Sequence, residues 1–140
     1  FNSEYQFTYF SVFEPQNGDA ARKYLLVGQT YTQSAAGVKD TALVRFFNLS
    51  SDTASDFSAG LDYELGAGAS AQTVSGLTYP GWTTYLKVPA GNSSYSVFVD
   101  QTGDTLVNNS QLTGLQSLGR YSVVIYGNHA NLKQLVIQEH

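Results

Sequence analysis

Two histidines, eleven carboxylate side chains and a scatter of serines are the residues from which a hydrolytic centre would first be sought in this chain, which contains no cysteine. Serine nucleophiles need a base within hydrogen-bond reach, normally a histidine oriented by a carboxylate. His129 falls in the turn-forming run Gly127-Asn128-His129-Ala130-Asn131 and His140 is the last residue. A solvent-exposed turn histidine is therefore the favoured reading, and no Gly-x-Ser-x-Gly elbow occurs. Asp62 and Glu64 stand two apart, which on a strand puts both on one face, the arrangement a glycosidase acid and base would use. They alternate with Leu61, Tyr63 and Leu65, however, so a water-facing row of acids is the simpler expectation. Gly66-Ala67-Gly68-Ala69-Ser70-Ala71 fits a dinucleotide fingerprint in form only, since the fingerprint works where a strand feeds a helix and no helical period follows.

Asp100 with Asp104, and Asp52 with Asp56, could offer loop oxygens to calcium, but neither set has the ligand number or spacing of a calcium loop, and ordinary Asp turn chemistry is favoured. An isopeptide between a buried lysine and Asn or Asp is open to a sandwich fold, but the sequence nominates no pair. Asn48-Leu49-Ser50, Asn92-Ser93-Ser94 and Asn108-Asn109-Ser110 fit the glycosylation sequon in a surface rich in Ser and Asn. The expectation is a protein that is not an enzyme, with no catalytic residue, no metal and no cofactor.

Binding has a better candidate. Tyr79-Pro80-Gly81-Trp82-Thr83-Thr84-Tyr85 gathers Tyr79, Trp82 and Tyr85 around a turn. Flat exposed aromatics stack on sugar rings. The competing expectation, and the favoured one, is a core tryptophan anchored by a turn, as sandwiches often have.

These segments must be carried by strands. Charged residues are 13% of the chain against a typical quarter, while 10 Tyr, 8 Phe and 13 Gly favour strands and turns. Seven basic residues are dispersed among eleven acidic ones for a net charge of −4, so no phosphate-binding patch forms and nucleic acid is not an expected partner. No apolar run approaches the roughly 20 residues that span a bilayer, and no membrane insertion by this chain is expected. A start at Phe1 without any methionine suggests trimming, as by a signal peptidase, and lipid attachment through a segment upstream of Phe1 is compatible with it.

Period-two patterning runs from end to end. Tyr5 to Phe13 is aromatic strand material, Glu14-Pro15-Gln16-Asn17-Gly18-Asp19 a strong turn, and Lys23 to Tyr31 the return strand, so that residues 1–40 form a hairpin extension expected to pack on the same domain. Thr41 to Leu49 is almost continuously apolar, as in a strand buried on both faces, with Arg45 the exception. Leu61 to Leu65 alternates. Gly66 to Gly76 is small-residue sequence for a flexible loop or a weak edge strand, and Thr83 to Val88, Ser94 to Asp100, Thr105 to Val107, Tyr121 to Tyr126 and Leu132 to Gln138 complete the set. About eight or nine strands at spacings near ten residues predict a two-sheet sandwich over residues 41–140. Its expected core is Phe46, Phe47, Leu61, Tyr63, Val97, Val99, Val123, Ile125, Leu135 and Ile137.

From Ala42 to Gln138 the order of features resembles the bacterial envelope family known as domain of unknown function 4397. The resemblance rests on Ala42-Leu43-Val44-Arg45-Phe46-Phe47-Asn48-Leu49-Ser50-Ser51-Asp52, Leu77-Thr78-Tyr79, Tyr85-Leu86-Lys87-Val88-Pro89-Ala90-Gly91 and Tyr95-Ser96-Val97-Phe98-Val99. Leu118-Gly119-Arg120-Tyr121-Ser122-Val123-Val124-Ile125-Tyr126-Gly127 and Leu132-Lys133-Gln134-Leu135-Val136 complete it. It covers about two-thirds of the chain, and its motifs are strand and turn residues. The resemblance implies an all-β, antiparallel, immunoglobulin-like or transthyretin-like sandwich, with the N-terminal hairpin as an addition. It also implies an extracytoplasmic location, in the periplasm or at the cell surface, and no catalytic residues to carry over. The expected function is a non-catalytic structural or binding module of a bacterial cell-envelope protein, whose partner is an envelope protein or polysaccharide. The alternatives are a carbohydrate-binding module using Tyr79, Trp82 and Tyr85, and a hydrolase using Asp62 and Glu64.

Overall fold

The computed structural model describes residues 5–16, 19–30, 40–50, 60–100, 102–128 and 131–139. His129, His140, Asp52 and Asp56 lie outside them. The chain divides into two compact units, Phe1–Val38 and Lys39–His140.

The first unit is a hairpin of β1 (Tyr5–Gln16) and β2 (Asp19–Thr30), antiparallel from Tyr5 opposite Thr30 to Gln16 opposite Asp19. Both strands run further than their aromatic patterning suggests.

The second unit is a sandwich of two sheets. In one, β11 (Asn131–Glu139) lies antiparallel to β10 (Arg120–Asn128), which lies beside β3 (Thr41–Ser50). The far side of β3 is shared by two short antiparallel strands, β6 (Gly81–Trp82) and β7 (Leu86–Pro89). The other sheet has the order β5 (Gln72–Leu77), β4 (Leu61–Leu65), β8 (Gly91–Val99), β9 (Thr105–Leu115), every pair antiparallel. The expected all-β sandwich is the observed one, with one departure from antiparallel order: β3 and β10 are parallel. A parallel pair needs a long crossover, and here the whole second sheet intervenes in the chain.

Inward-facing side chains follow the alternation. Ala42, Val44 and Phe46 of β3 meet Leu61, Tyr63 and Leu65 of β4, Tyr95 and Val97 of β8, and Tyr121, Val123 and Ile125 of β10 in one buried cluster. The Phe46 ring lies 4.7 Å from that of Tyr63 and 5.7 Å from that of Tyr95, centroid to centroid, so aromatic contacts join the two sheets at their centre. Leu135 and Ile137 do not belong to this core. Both sit on the outer face of the edge strand β11, opposite Val124 and Ser122, where Leu135 is 49% exposed and Ile137 half-buried. The inner face of β11 carries Leu132, Gln134 and Val136 instead. An apolar run such as Leu135-Val136-Ile137 leaves the parity undetermined, and the facing strand decides it. Phe47 is buried as expected, but on the face of β3 that points away from the main core.

Two other segments resolve their ambiguity. Gly66 to Gly76 contains a turn of 3-10 helix at Gly68–Ser70 and then becomes the edge strand β5. Gly60, with φ of +92°, passes so close to Leu77 that a Cβ would lie 2.8 Å from the Leu77 carbonyl oxygen, so the backbone crossing there accepts only glycine.

Deep in the core, the Tyr63 hydroxyl has no hydrogen-bond partner among the described residues, and burial pushes its pKa far above the usual tyrosine value. A buried hydroxyl left unsatisfied costs free energy that its removal recovers. Tyr63→Phe is therefore expected to keep or raise the stability, by up to roughly 1 kcal/mol, read as an unchanged or higher urea midpoint.

Candidate functional site

The Tyr79 to Tyr85 segment is fastened to β3 by side chains as well as by backbone. Asn48 donates from Nδ2 to the Leu77 carbonyl (2.8 Å), and its Oδ1 accepts from the Ser50 amide (3.1 Å) and hydroxyl (2.6 Å). The turn that follows is tight: a Cβ on Gly81 would lie 2.5 Å from the Thr78 carbonyl oxygen. Thr83, buried, donates its amide to the Phe46 carbonyl (2.9 Å), while its Oγ1 accepts the Phe46 amide (3.0 Å) and donates to the Thr84 carbonyl (2.8 Å). A hydroxyl thus stands in for a missing ladder acceptor.

The expected strand from Thr83 to Val88 is broken here, and the break has a use. Phe47 is opposite Trp82 and Val44 is opposite Leu86, so three steps along β3 face four along its neighbour. The extra residue is a bulge, which re-aims the side chain beside it. Without it Tyr85 would share the inward parity of Thr83. With it, Tyr85 turns outward while Leu86 packs against the core.

Trp82, Phe47, Arg45 and Tyr85 consequently form a row on the outer face of the first sheet. The Trp82 and Phe47 rings are stacked, 6.2 Å between centroids and 26° between planes. The Arg45 guanidinium carbon lies 4.6 Å from the Phe47 centroid and 5.1 Å from that of Tyr85, and Arg120 is 6.0 Å from the Tyr85 ring, all within cation–π range. Arg45 is 3% exposed. It donates from Nε to Ser122 Oγ (2.9 Å) and pairs through Nη2 with Glu139 Oε1. The Ser122 hydroxyl donates to the same carboxylate oxygen, and the Tyr85 hydroxyl donates to Oε2. Burial pushes the Glu139 carboxyl up, but the hydrogen bonds from Ser122 and Tyr85 and the Arg45 charge outweigh it and hold the group below the usual glutamate range.

The three aromatics expected to bind a ligand are therefore placed differently. Trp82 is 44% exposed, which corrects the expectation of a core tryptophan. Tyr85 is half-buried with its hydroxyl engaged by Glu139. Tyr79 follows Leu77 and Thr78 into the turn, and its hydroxyl is buried.

Asp62 and Glu64 are half-buried rather than fully turned to water, and Asp62 Oδ1 accepts the Gly76 amide (2.8 Å), which ties β4 to the edge strand β5. Asp104 exchanges hydrogen bonds with Thr102 in the turn between β8 and β9, accepting at Oδ2 from the Thr102 hydroxyl (2.8 Å) and donating its amide to Thr102 Oγ1 (3.2 Å). Among the described residues no group of three or more His, Asp or Glu side chains is arranged to hold a metal ion, and no helix is long and apolar enough to cross a membrane.

A family model described as domain of unknown function (DUF4397) matches residues 42–140. The chain belongs to the DUF4397 family. No curated protein matches it. The DUF4397 match begins at the second residue of β3, so the β1–β2 hairpin lies outside the family domain, while both sheets, the Arg45 cluster and Trp82 lie within it.

Sequence reasoning about this DUF4397 domain singles out Arg45 as a charge in an apolar strand but not its partners. Ser122 and Glu139 are 77 and 94 positions away, and the signal that could have raised them is that a buried guanidinium must have a carboxylate. Removing one partner of a buried ion pair typically costs about 3–5 kcal/mol. Glu139→Gln is expected to lose stability on that scale at neutral pH. The folded carboxyl titrates below its unfolded value, so its contribution is complete above the ordinary glutamate range and disappears as pH falls through the lowered folded value. Denaturation followed from pH 7 downward should accordingly show parent and variant converging in acid. Replacing both charges, as Arg45→Met with Glu139→Leu, is expected to recover most of the loss at pH 7.

Proposed function

We propose that this domain is a non-catalytic binding module that works outside the cytoplasm, as part of a bacterial cell-envelope protein, and that it contacts its ligand through Trp82. The observation that carries the reading is the half-exposed indole held on a buried Phe47 ring. A large apolar ring kept in water at a fixed angle is stabilised by contact with a flat partner. Three devices hold it there: the Asn48 and Thr83 hydrogen bonds, the glycine-only turn at Gly81, and the bulge that sets Tyr85 next to Arg45. Tyr85 lies further along the same outer face, over Arg45.

A flat, half-exposed aromatic ring suits the face of a sugar, so an envelope polysaccharide is the first partner to test, with an envelope protein as the second reading. The extracytoplasmic setting is supported by the family resemblance. The hydrolase alternative gains no support from Asp62, whose carboxylate is committed to a backbone amide of the neighbouring strand.

Trp82→Ala is expected to abolish retention on immobilised cell-wall polysaccharide in affinity electrophoresis while moving the melting temperature by only a few degrees, since a half-exposed side chain contributes little to the core. Wild-type protein that ignores every envelope glycan and envelope-protein fraction would overturn the reading. Fractionation of cells expressing the full precursor tests the location, with recovery in the cytoplasm alone as the contrary result.

A further inference from the structure

We propose that the domain pairs with a second copy of itself along β11, joining two four-strand-wide sheets into one. Edge strands invite such pairing unless they are short, bulged, charged or interrupted by proline. Among the described residues of the sandwich, the other edges carry these defences. β6 and β7 are two and four residues long, with Pro89 in β7; β5 meets β4 through a register shift; and β9 meets β8 through three shifts, with Asn109 and Gly114 at positive φ. β11 is neither short, bulged nor broken by proline, and of its two charges Glu139 is paired with Arg45, which leaves Lys133 as its exposed charge. Its nine residues pair with β10 in unbroken register, it contains no proline, and among the described residues no strand lies on its other side. Leu135 and Val136, 49% and 44% exposed, present apolar surface on both of its faces.

A second copy, rather than an unrelated strand, is favoured because β11 complements itself. Antiparallel pairing about a two-fold axis through Val136 sets Val136 opposite Val136, Leu135 opposite Ile137, Gln134 opposite Gln138 and Lys133 opposite Glu139. Apolar residues then meet apolar residues, amide meets amide, and the one charge of β11 outside the Arg45 cluster faces an acid. A two-fold axis through Leu135 instead sets Lys133 opposite Ile137 and Gln134 opposite Val136. Val136 also lines an open groove with Leu112, Leu115 and Tyr121, which the partner's Val136 would help to cover.

The axis stands normal to the sheet, so both copies keep the same outer face. The two Trp82 rings then lie on one side of the dimer, seven strand spacings apart, about 34 Å at the usual interstrand distance. This last consequence rests on the reading of Trp82 above; the pairing itself does not. Two such sites on one polymer would bind with avidity.

Because the chain has no cysteine, single substitutions report the register directly. Directly opposed residues bring their Cβ atoms to about 4.5–5.5 Å, so Val136→Cys is expected to give a disulfide-linked dimer under mild oxidation, in several-fold higher yield than Leu135→Cys. In sedimentation velocity the wild type should dimerise with rising concentration. Lys133→Glu, which sets acid opposite acid, and Val136→Lys, which sets like charges on the axis, should each weaken the dimer by about tenfold or more, with circular dichroism unchanged. Thr73→Lys, on the distant edge strand β5, should leave association intact. A wild type that stays monomeric at every concentration, or equal crosslinking of the two cysteine variants, would overturn the proposal. Loss of glycan retention in Trp82→Ala with dimerisation preserved would separate the two functions.

Discussion

A guanidinium enclosed in the middle of β3 is the constraint on which the outer half of this domain depends. Arg45 sits directly opposite Ser122 on the parallel neighbour β10, and Glu139 reaches it from β11 one strand further out. Taking either charge out of water alone would cost several kcal/mol, and the cost is offset only where geometry and further hydrogen bonds are good. Three strands must therefore keep one mutual register. Sliding β10 by a single residue would carry Ser122 to the other face and turn Val123 away from the core. The buried charge and the apolar face thus specify the same register.

This dependence explains what could be read in the sequence. Strand positions, the two-sheet architecture and the central place of β3 follow from alternation and from an apolar run interrupted once, and each is a property of a few neighbouring residues. What could not be read belongs to pairs of distant segments. Nothing local says that β3 and β10 run parallel, and nothing in Leu135-Val136-Ile137 says which residue turns inward. The partner of Arg45 lies near the end of the chain. The bulge opposite Arg45 is equally invisible, because it exists only as a difference between two strand lengths, three steps against four. The exposure of Trp82 has the same origin: it follows from being opposite Phe47, whose own side chain points away from the main core.

Burial of Phe47 and Arg45 on that outer face gives the sheet a second function beyond closing the core. An indole lying on Phe47 has one apolar neighbour that cannot move, and Phe47 is in turn capped by the Arg45 cation, which Ser122, Glu139 and Tyr85 hold in place. Each contact fixes the next, from a buried ion pair to an exposed ring. The rigidity of the half-exposed group is thus inherited from the charged cluster beneath it rather than from the turn alone.

The same cluster argues against acid–base chemistry on this face. A general acid or base near neutral pH needs a pKa moved toward 7 and a proton path to substrate. Glu139 is moved the other way, because Ser122, Tyr85 and Arg45 all favour its ionised form over the effect of burial. Both of its oxygens are occupied by protein donors. A carboxylate so satisfied is held in its ionised form and fixes the groups around it. The chemistry this cluster supports is that of positioning.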